Sequence, residues 1–215
     1  MLKQLVNCCL LLTITILVAC NNDKKDQAKT PVTQPDYFKK PDPQPVTGAP
    51  NTYSPVDISP MDMSYFPVNF PVLKISTDSA INPVMRVIYS RPHLSGRKLF
   101  KDLIKYNEPW RLGANEATEI TFYKNVKILG QQVQAGRYIM YCIPEEGNWE
   151  LILNSNVDTW GLKQNRAKDV YKFTVPVIDN HAYEEYFTMQ FEPVEKNAEL
   201  QISWDSYMAT LPIQL

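Results

Sequence analysis

Hydrophobic and polar residues alternate in short segments from about residue 84 to the end of the chain. The clearest example is Leu200-Gln201-Ile202-Ser203-Trp204, in which apolar and polar side chains take turns. Because successive side chains of a β-strand point to opposite faces, this alternation predicts half-buried strands. Nine strands are predicted in this way, at residues 84–91, 118–123, 126–133, 137–143, 149–154, 170–177, 186–191, 200–204 and 208–213.

The segments between the predicted strands are rich in turn-forming residues, as at 130–131, 146–148, 179–180 and 205–206. Helical periodicity is rare, and only residues 96–104 have apolar side chains spaced one helical turn apart. About nine strands with one short helix predict an all-β fold, a single β-sandwich or jelly-roll-like domain at residues 57–215.

The first 20 residues have the pattern of an export signal. Lys3 precedes an apolar stretch at 5–18, which is too short to span a membrane as a helix. The stretch ends in Leu17-Val18-Ala19-Cys20, which resembles the lipobox of bacterial lipoproteins. We therefore expect a signal peptide at 1–19, an acylated Cys20, and the membrane as a partner through that anchor. Because Asn21 rather than aspartate follows, the outer membrane is favoured, on its periplasmic or its surface face.

The segment that begins at this cysteine, residues 20–56, is rich in proline and polar residues and has few apolar groups. This composition cannot bury enough apolar surface to offset the entropy of ordering the chain. We expect a disordered stalk that joins the lipid anchor to the domain.

Composition and charge narrow the classes of partner. The 22 basic and 23 acidic residues give a formal net charge of −1, which does not suggest binding to nucleic acid. The only histidines, His93 and His181, lie on separate predicted loops, so a metal site is not expected. No cofactor is expected either, because the chain has no phosphate-binding glycine loop and no dinucleotide fingerprint. Cys142 lies in an apolar run, where a buried thiol is the simpler interpretation than a nucleophile.

Charged residues fall on predicted apolar faces near two strand ends. Extending the alternation of 118–123 backwards places Glu116 on the apolar face, and the alternation of 84–91 places Arg91 there. A buried charge must be paired or hydrated, because an isolated one is costly. We therefore expect Glu116 to contact one of the nearby arginines, namely Arg91, Arg97 or Arg111.

Two interpretations of this charged cluster remain open. In one, it is a structural ion-pair network that holds the connection 92–115. In the other, it is a site whose candidate ligand-binding residues are Arg91, Arg97, Trp110, Arg111, Asn115, Glu116 and Trp160. Such a site favours a binding module for a polar or anionic small molecule or a glycan. The alternatives are a hydrolase or lyase that uses Glu116 as acid or base, and an assembly protein of the cell envelope without a ligand.

Several short motifs follow one another through the predicted domain, among them Tyr89-Ser90-Arg91-Pro92, Gly96-Arg97, Trp110-Arg111, Gly113-Ala114-Asn115-Glu116 and Trp160-Gly161. This order resembles a family of exported bacterial proteins, the domain of unknown function 2911. The resemblance implies a secreted or lipid-anchored protein with a mostly β domain and no established activity. The polar residues of the family match here at Arg91, Arg97, Arg111, Asn115 and Glu116. The chain departs from the family at Lys101, where glycine is usual, and at 162–165, where tyrosines are usual.

Overall fold

The structure is a computed structural model that describes residues 59–76, 81–179 and 182–215. The predicted signal peptide at 1–19, the lipidation site Cys20 and the stalk at 20–56 lie outside these residues and stay predictions, as does the place of His181. The described residues belong to one unit of the chain. None of their helices is long and apolar enough to cross a membrane.

Antiparallel strands form almost all of the regular structure. They are β1 Met61–Phe66, β2 Met85–Ser90, β3 Glu119–Phe122, β4 Val126–Ile128, β5 Gln131–Val133, β6 Gly136–Glu145, β7 Asn148–Asn154, β8 Asp169–Ile178, β9 Glu184–Val194, β10 Asn197–Asp205 and β11 Tyr207–Gln214. The helical segments are short: α1 Phe70–Ser76, a π-helical turn Leu99–Leu103 and a 3-10 turn Arg166–Lys168.

All the strands belong to one antiparallel sheet, in the order β1-β2-β3-β6-β7-β8-β11-β10-β9, with the β4–β5 hairpin attached to β11. The sheet curls until its two ends meet. The segment after β2 joins β9 there, since Phe187 donates its N–H to the Pro92 carbonyl at 2.9 Å and Leu94 donates to the Glu185 carbonyl at 3.0 Å. The result is a nearly closed barrel, and the all-β prediction is confirmed.

The interior of the barrel is filled by the apolar side chains that alternate along the strands. At its centre, Trp110 packs against three other aromatic rings. The ring centroids of Trp149 and Trp204 lie 5.8 Å from it, and that of Phe187 lies 5.0 Å away. Cys142 is fully buried in this core, and burial raises the pKa of its thiol, so it is a core residue as its sequence pattern predicts.

Candidate functional site

The connection from Trp110 to β3 is a loop that turns Glu116 away from the core. The inward position predicted for Glu116 is wrong, because its side chain is exposed and forms no ion pair with any described residue. The backbone takes left-handed φ angles at Leu112 (55°) and Asn115 (56°), and β3 begins only at Glu119. Each left-handed residue redirects the chain, so the two-residue period of the strand cannot be extended through this loop.

Hydrogen bonds hold this loop together and fix it to the end of β2 and to the segment before β1. Thr118 donates its hydroxyl to the Leu112 carbonyl, and Ser90 donates its hydroxyl to the Ala114 carbonyl. Asn115 donates its side-chain N–H to the Ser59 carbonyl at 3.4 Å. These contacts fix the loop, so that the two residues on either side of it, Arg111 and Glu116, project into different clefts.

Arg91 is partly exposed just after β2, and its acidic partner is Asp62 of β1 rather than Glu116, with Nη1 and Oδ2 3.3 Å apart. Its guanidinium also donates to the Phe187 carbonyl at 3.3 Å and to the Thr188 hydroxyl at 3.2 Å, and it lies over the ring of Tyr186. Arg91 therefore ties β1 and β2 to β9 where the sheet closes.

A cleft of about 500 Å³ opens where β2 and β10 end. We call it the arginine cleft, after Arg97 and Arg111, which line it together with the edges of Trp110 and Trp204 and the apolar side chains Leu103 and Ile104. Both tryptophans are almost fully buried, so they form the floor rather than freely accessible walls. None of the described residues that line the cleft carries a carboxylate.

The two arginines of this cleft lack acidic partners among the residues that the structure describes. Arg111 is half-buried, and this burial lowers the pKa of its guanidinium because water is partly removed from the charge. Arg97 donates Nε to the Leu94 carbonyl at 2.8 Å and Nη2 to the His93 carbonyl at 2.9 Å. These carbonyls hold the Arg97 side chain in place and leave its positive charge uncompensated.

A second cleft, of about 350 Å³, lies on the outer face of the sheet beside β3. We call it the Trp160 cleft, because the half-exposed ring of Trp160 forms one side of it. Three carboxylates line it, those of Glu116, Glu119 and Asp158. Arg137 bridges two of them, with Nη2 2.7 Å from Glu119 and 2.6 Å from Asp158. Glu116 is the carboxylate of this cleft that no described cation neutralises.

Gly161 packs between the two clefts and keeps them apart. A Cβ atom added to it would lie 2.7 Å from the Cβ of Ala117 and 3.5 Å from that of Arg111. The predicted site is therefore divided: Arg97, Trp110 and Arg111 line the arginine cleft, whereas Glu116 and Trp160 line the other. Arg91 and Asn115 line neither cleft and contact other parts of the fold.

Sequence reasoning missed two parts of these clefts. Trp204 joins the floor of the arginine cleft although it is some ninety residues from Trp110, and only the closure of the barrel brings the two rings together. The Glu119–Arg137 pair was also missed. Glu119 and Arg137 are opposite charges on the outward faces of neighbouring strands. The pair can be predicted only when β3 and β6 are known to be neighbours.

Among the described residues, no group of three His, Cys, Asp or Glu side chains is placed to hold a metal ion. His93 instead stacks on Tyr186 and lies 3.7 Å from the Glu185 carboxylate. That carboxylate also accepts hydrogen bonds from the Tyr183 hydroxyl and the Ser95 N–H, which lower its pKa. These contacts account for the histidine as part of the surface that closes the barrel.

The family described as "Protein of unknown function (DUF2911)" matches residues 74–213. The match runs from α1 into β11 and includes Arg97, Arg111 and Glu116. No curated protein and no solved structure matches the chain. Since the family match covers most of the chain and contains most of the residues that line both clefts, the resemblance seen in the sequence motifs is confirmed. The chain belongs to the DUF2911 family of proteins of unknown function.

Proposed function

We propose that this protein is a binding module for an anionic small molecule or glycan, held in the arginine cleft. The observation that carries this proposal is the pair Arg97 and Arg111, two arginines that have no acidic partner among the described residues and line one cleft above an aromatic floor. A volume of about 500 Å³ falls in the range of small-molecule sites, which is roughly 300–1,000 Å³.

The physical argument rests on the cost of an unpaired charge. Removing water from the Arg111 guanidinium without supplying a carboxylate destabilises the free protein, and an anionic ligand would offset that cost. Arg97 is already held by two backbone carbonyls, so little side-chain entropy is lost when it binds. The planar guanidinium suits a carboxylate or sulfate group in particular.

The first experiment measures the binding of D-galacturonate, D-glucuronate and neutral galactose by isothermal titration calorimetry. We expect the two acids to bind and galactose to bind at least tenfold more weakly. Removal of one charged hydrogen bond costs about 1.5–3 kcal/mol, so Arg111→Gln and Arg97→Gln should each weaken acid binding by roughly 10- to 100-fold.

Arg166→Gln is the matched control, because it removes the same charge from an exposed arginine outside both clefts. It should bind the acids as the parent does. The proposal fails if neither the acids nor other small anions bind, or if the cleft variants bind as tightly as Arg166→Gln.

A second candidate function is a carboxylate-based hydrolase or lyase in the Trp160 cleft. It is favoured by the three carboxylates there, of which Glu116 has no described cationic partner. Glycosidases use two carboxylates across one bond, and Trp160 offers a surface on which a sugar ring can stack. Turnover of nitrophenyl glycosides that is lost in Glu116→Gln and retained in Arg97→Gln would support this function. If neither cleft binds or cleaves anything, the alternative of an envelope protein with a structural role remains.

We further propose that the module is lipid-anchored at Cys20 in the cell envelope, with the outer membrane as its place. The support is the apolar N-terminal stretch that ends in Leu17-Val18-Ala19-Cys20. Expression of the full chain followed by membrane fractionation tests this proposal. The parent should sediment with outer membranes and incorporate labelled palmitate, whereas Cys20→Ser should do neither.

A further inference from the structure

A third cleft, of about 620 Å³, adjoins the arginine cleft and shares Arg97 with it. We call it the lysine cleft, after Lys98 and Lys101. The two clefts lie on either side of the segment 97–103, whose first residues line one cleft and whose last residue lines the other. The turn from β10 to β11 is shared in the same way, because Trp204 belongs to the arginine cleft and Tyr207 to the lysine cleft.

The lysine cleft is also positively charged. Lys98 and Lys101 are exposed, and neither forms an ion pair with any residue in the described part of the chain. Asp205 is the carboxylate that lines this cleft, and its Oδ2 atom accepts the Leu99 N–H at 3.3 Å. With Arg97, the described residues of the lining therefore carry three positive charges against one negative charge.

Hydrogen bonds fix the backbone of the segment 97–103, which carries the cations Arg97, Lys98 and Lys101. The Lys98 N–H donates to the Asp102 carboxylate at 2.8 Å, and the Arg97 N–H donates to the Leu94 carbonyl at 3.0 Å. A ligand that bridges these cations does not have to order the chain first, which favours affinity.

Aromatic rings accompany the cations in the lysine cleft. Phe100 packs edge-on against Tyr207, with ring centroids 4.8 Å apart, and Tyr183 presents an exposed ring at the other side. Cations beside flat aromatic faces suit a ligand that combines negative charges with apolar ring faces, as chains of sugar acids do. The net charge of the whole chain is −1, which does not favour nucleic acid as the ligand.

We propose that the natural ligand is a linear acidic glycan, which lies across both clefts with Arg97 between its bound units. This inference rests on the proposed function and deepens it, because it names the class of ligand. A single sugar acid contacts only the arginine cleft. A longer chain also reaches Lys98 and Lys101, so each added charged unit contributes further contacts until both clefts are filled.

The test compares oligogalacturonates of one, two, four and six units by calorimetry on the full chain in detergent. We expect affinity to rise at least tenfold from one unit to four and to level off thereafter. In the double variant Lys98→Gln/Lys101→Gln, the ratio of tetramer to monomer affinity should fall towards one. The matched control is Lys124→Gln/Lys127→Gln, which removes the same charge from exposed lysines outside the clefts and should keep the ratio of the parent.

The outcomes separate the two proposals. If the monomer binds through Arg111 but longer chains bind no better, the glycan inference is wrong and the binding module stands. If no acid binds at any length, the glycan inference is wrong, and if other small anions also fail to bind, the binding module is wrong as well. Inorganic polyphosphate of matched charge tests whether negative charge alone is sufficient for binding. If it binds as tightly as the oligogalacturonate or more tightly, the glycan inference is wrong. Tyr183→Ala should lower oligogalacturonate affinity several-fold and leave any polyphosphate binding unchanged, since only the sugar rings use the aromatic face.

Discussion

At the scale of single residues, the buried hydroxyl of Tyr89 makes the protein less stable at alkaline pH. Removal of water from this group raises its pKa to about 12, and the nearby Asp62 carboxylate at 3.3 Å acts in the same direction. An unfolded tyrosine ionises near its usual pKa of about 10. The contribution of the neutral Tyr89 hydroxyl to the unfolding free energy is therefore complete below pH 10 and is lost as the pH rises through 12.

We expect the parent to lose roughly 2–3 kcal/mol of unfolding free energy through this group between about pH 9 and pH 12. In Tyr89→Phe this component should be absent, so its unfolding free energy falls less steeply over that range. Urea unfolding at several pH values measures the difference. Tyr123→Phe, which removes an exposed hydroxyl, is the control and should follow the parent. Parallel curves for Tyr89→Phe and the parent would contradict the assignment.

Glu116 and Glu119 line the same cleft and differ in what holds them. Glu116 is exposed without an ion pair among the described residues, so Glu116→Gln should change the unfolding free energy by less than about 0.5 kcal/mol. Glu119 is mostly buried and pairs with Arg137 at 2.7 Å and Arg86 at 3.9 Å. Its replacement by glutamine should cost about 1–3 kcal/mol. Thermal and urea unfolding of the two variants check this order, and a larger loss for Glu116→Gln would reverse the assignment.

Two features require glycine at position 161: a left-handed backbone angle and a lack of space for a side chain. Gly147 has only the first of these features, so it serves as the matched control. Both Gly161 (φ 75°) and Gly147 (φ 81°) have left-handed backbones, but only Gly161 has neighbours where a Cβ would stand. Gly147→Ala should cost about 1 kcal/mol for the backbone alone. Gly161→Ala should cost roughly 1–3 kcal/mol more, because the added methyl group would lie 2.7 Å from Ala117. Equal losses in urea unfolding would show that the loop moves aside freely.

At the scale of elements, the alternation of apolar residues predicted most strands because one face of each strand packs into the barrel. It failed for β1, where Met61 and Met63 point outward and are half-exposed. Asp62 and Ser64 instead face β9 at the line where the two ends of the sheet meet, which we call the seam. The hydrophobic signal is inverted there, so no strand was predicted. The predicted strand at 126–133 is divided into β4 and β5, because Leu129 and Gly130 take left-handed φ angles and form a turn.

The helical predictions fared less well, since local propensity is weak in short segments. The helix predicted at 96–104 is a single π-helical turn at Leu99–Leu103, and α1 at Phe70–Ser76 was not predicted.

The candidate site was predicted only in part, because local sequence does not determine how distant segments meet. The residue types were identified from the sequence, but their division between two clefts depends on a loop with left-handed residues and on contacts across the seam. Arg91 and Phe187, for example, are 96 residues apart in the chain.

The seam itself carries the prediction at this scale. Arg91→Gln removes contacts to Asp62, Thr188 and the Phe187 carbonyl, and should lower the unfolding free energy by about 1–3 kcal/mol. Since Arg91 does not line the arginine cleft, acid binding at a temperature where the variant is folded should match that of the parent. Arg111→Gln should show the opposite pattern, with weakened binding and little loss of stability. A binding defect in folded Arg91→Gln would place this residue in the site.

At the scale of the whole molecule, the arginine cleft joins parts of the chain that meet only when the barrel closes. Arg97 and Arg111 follow β2, Gly161 follows β7, and Trp204 lies near the end of β10. A ligand that binds this arrangement cannot bind the unfolded chain equally well. By linkage, an acid at 100 times its dissociation constant should therefore raise the unfolding free energy by about 2.7 kcal/mol.

This prediction is measured by the melting temperature of the protein at increasing concentrations of tetragalacturonate. The rise should follow the logarithm of the concentration once the site is saturated, because each tenfold increase adds about 1.4 kcal/mol. Neutral galactose oligomers should give a much smaller rise at the same concentration, and Arg111→Gln should need roughly 10- to 100-fold more acid for the same rise. If Arg111→Gln and the parent are stabilised equally, the acid acts elsewhere on the surface, and the uncompensated charge of Arg111 has no part in binding.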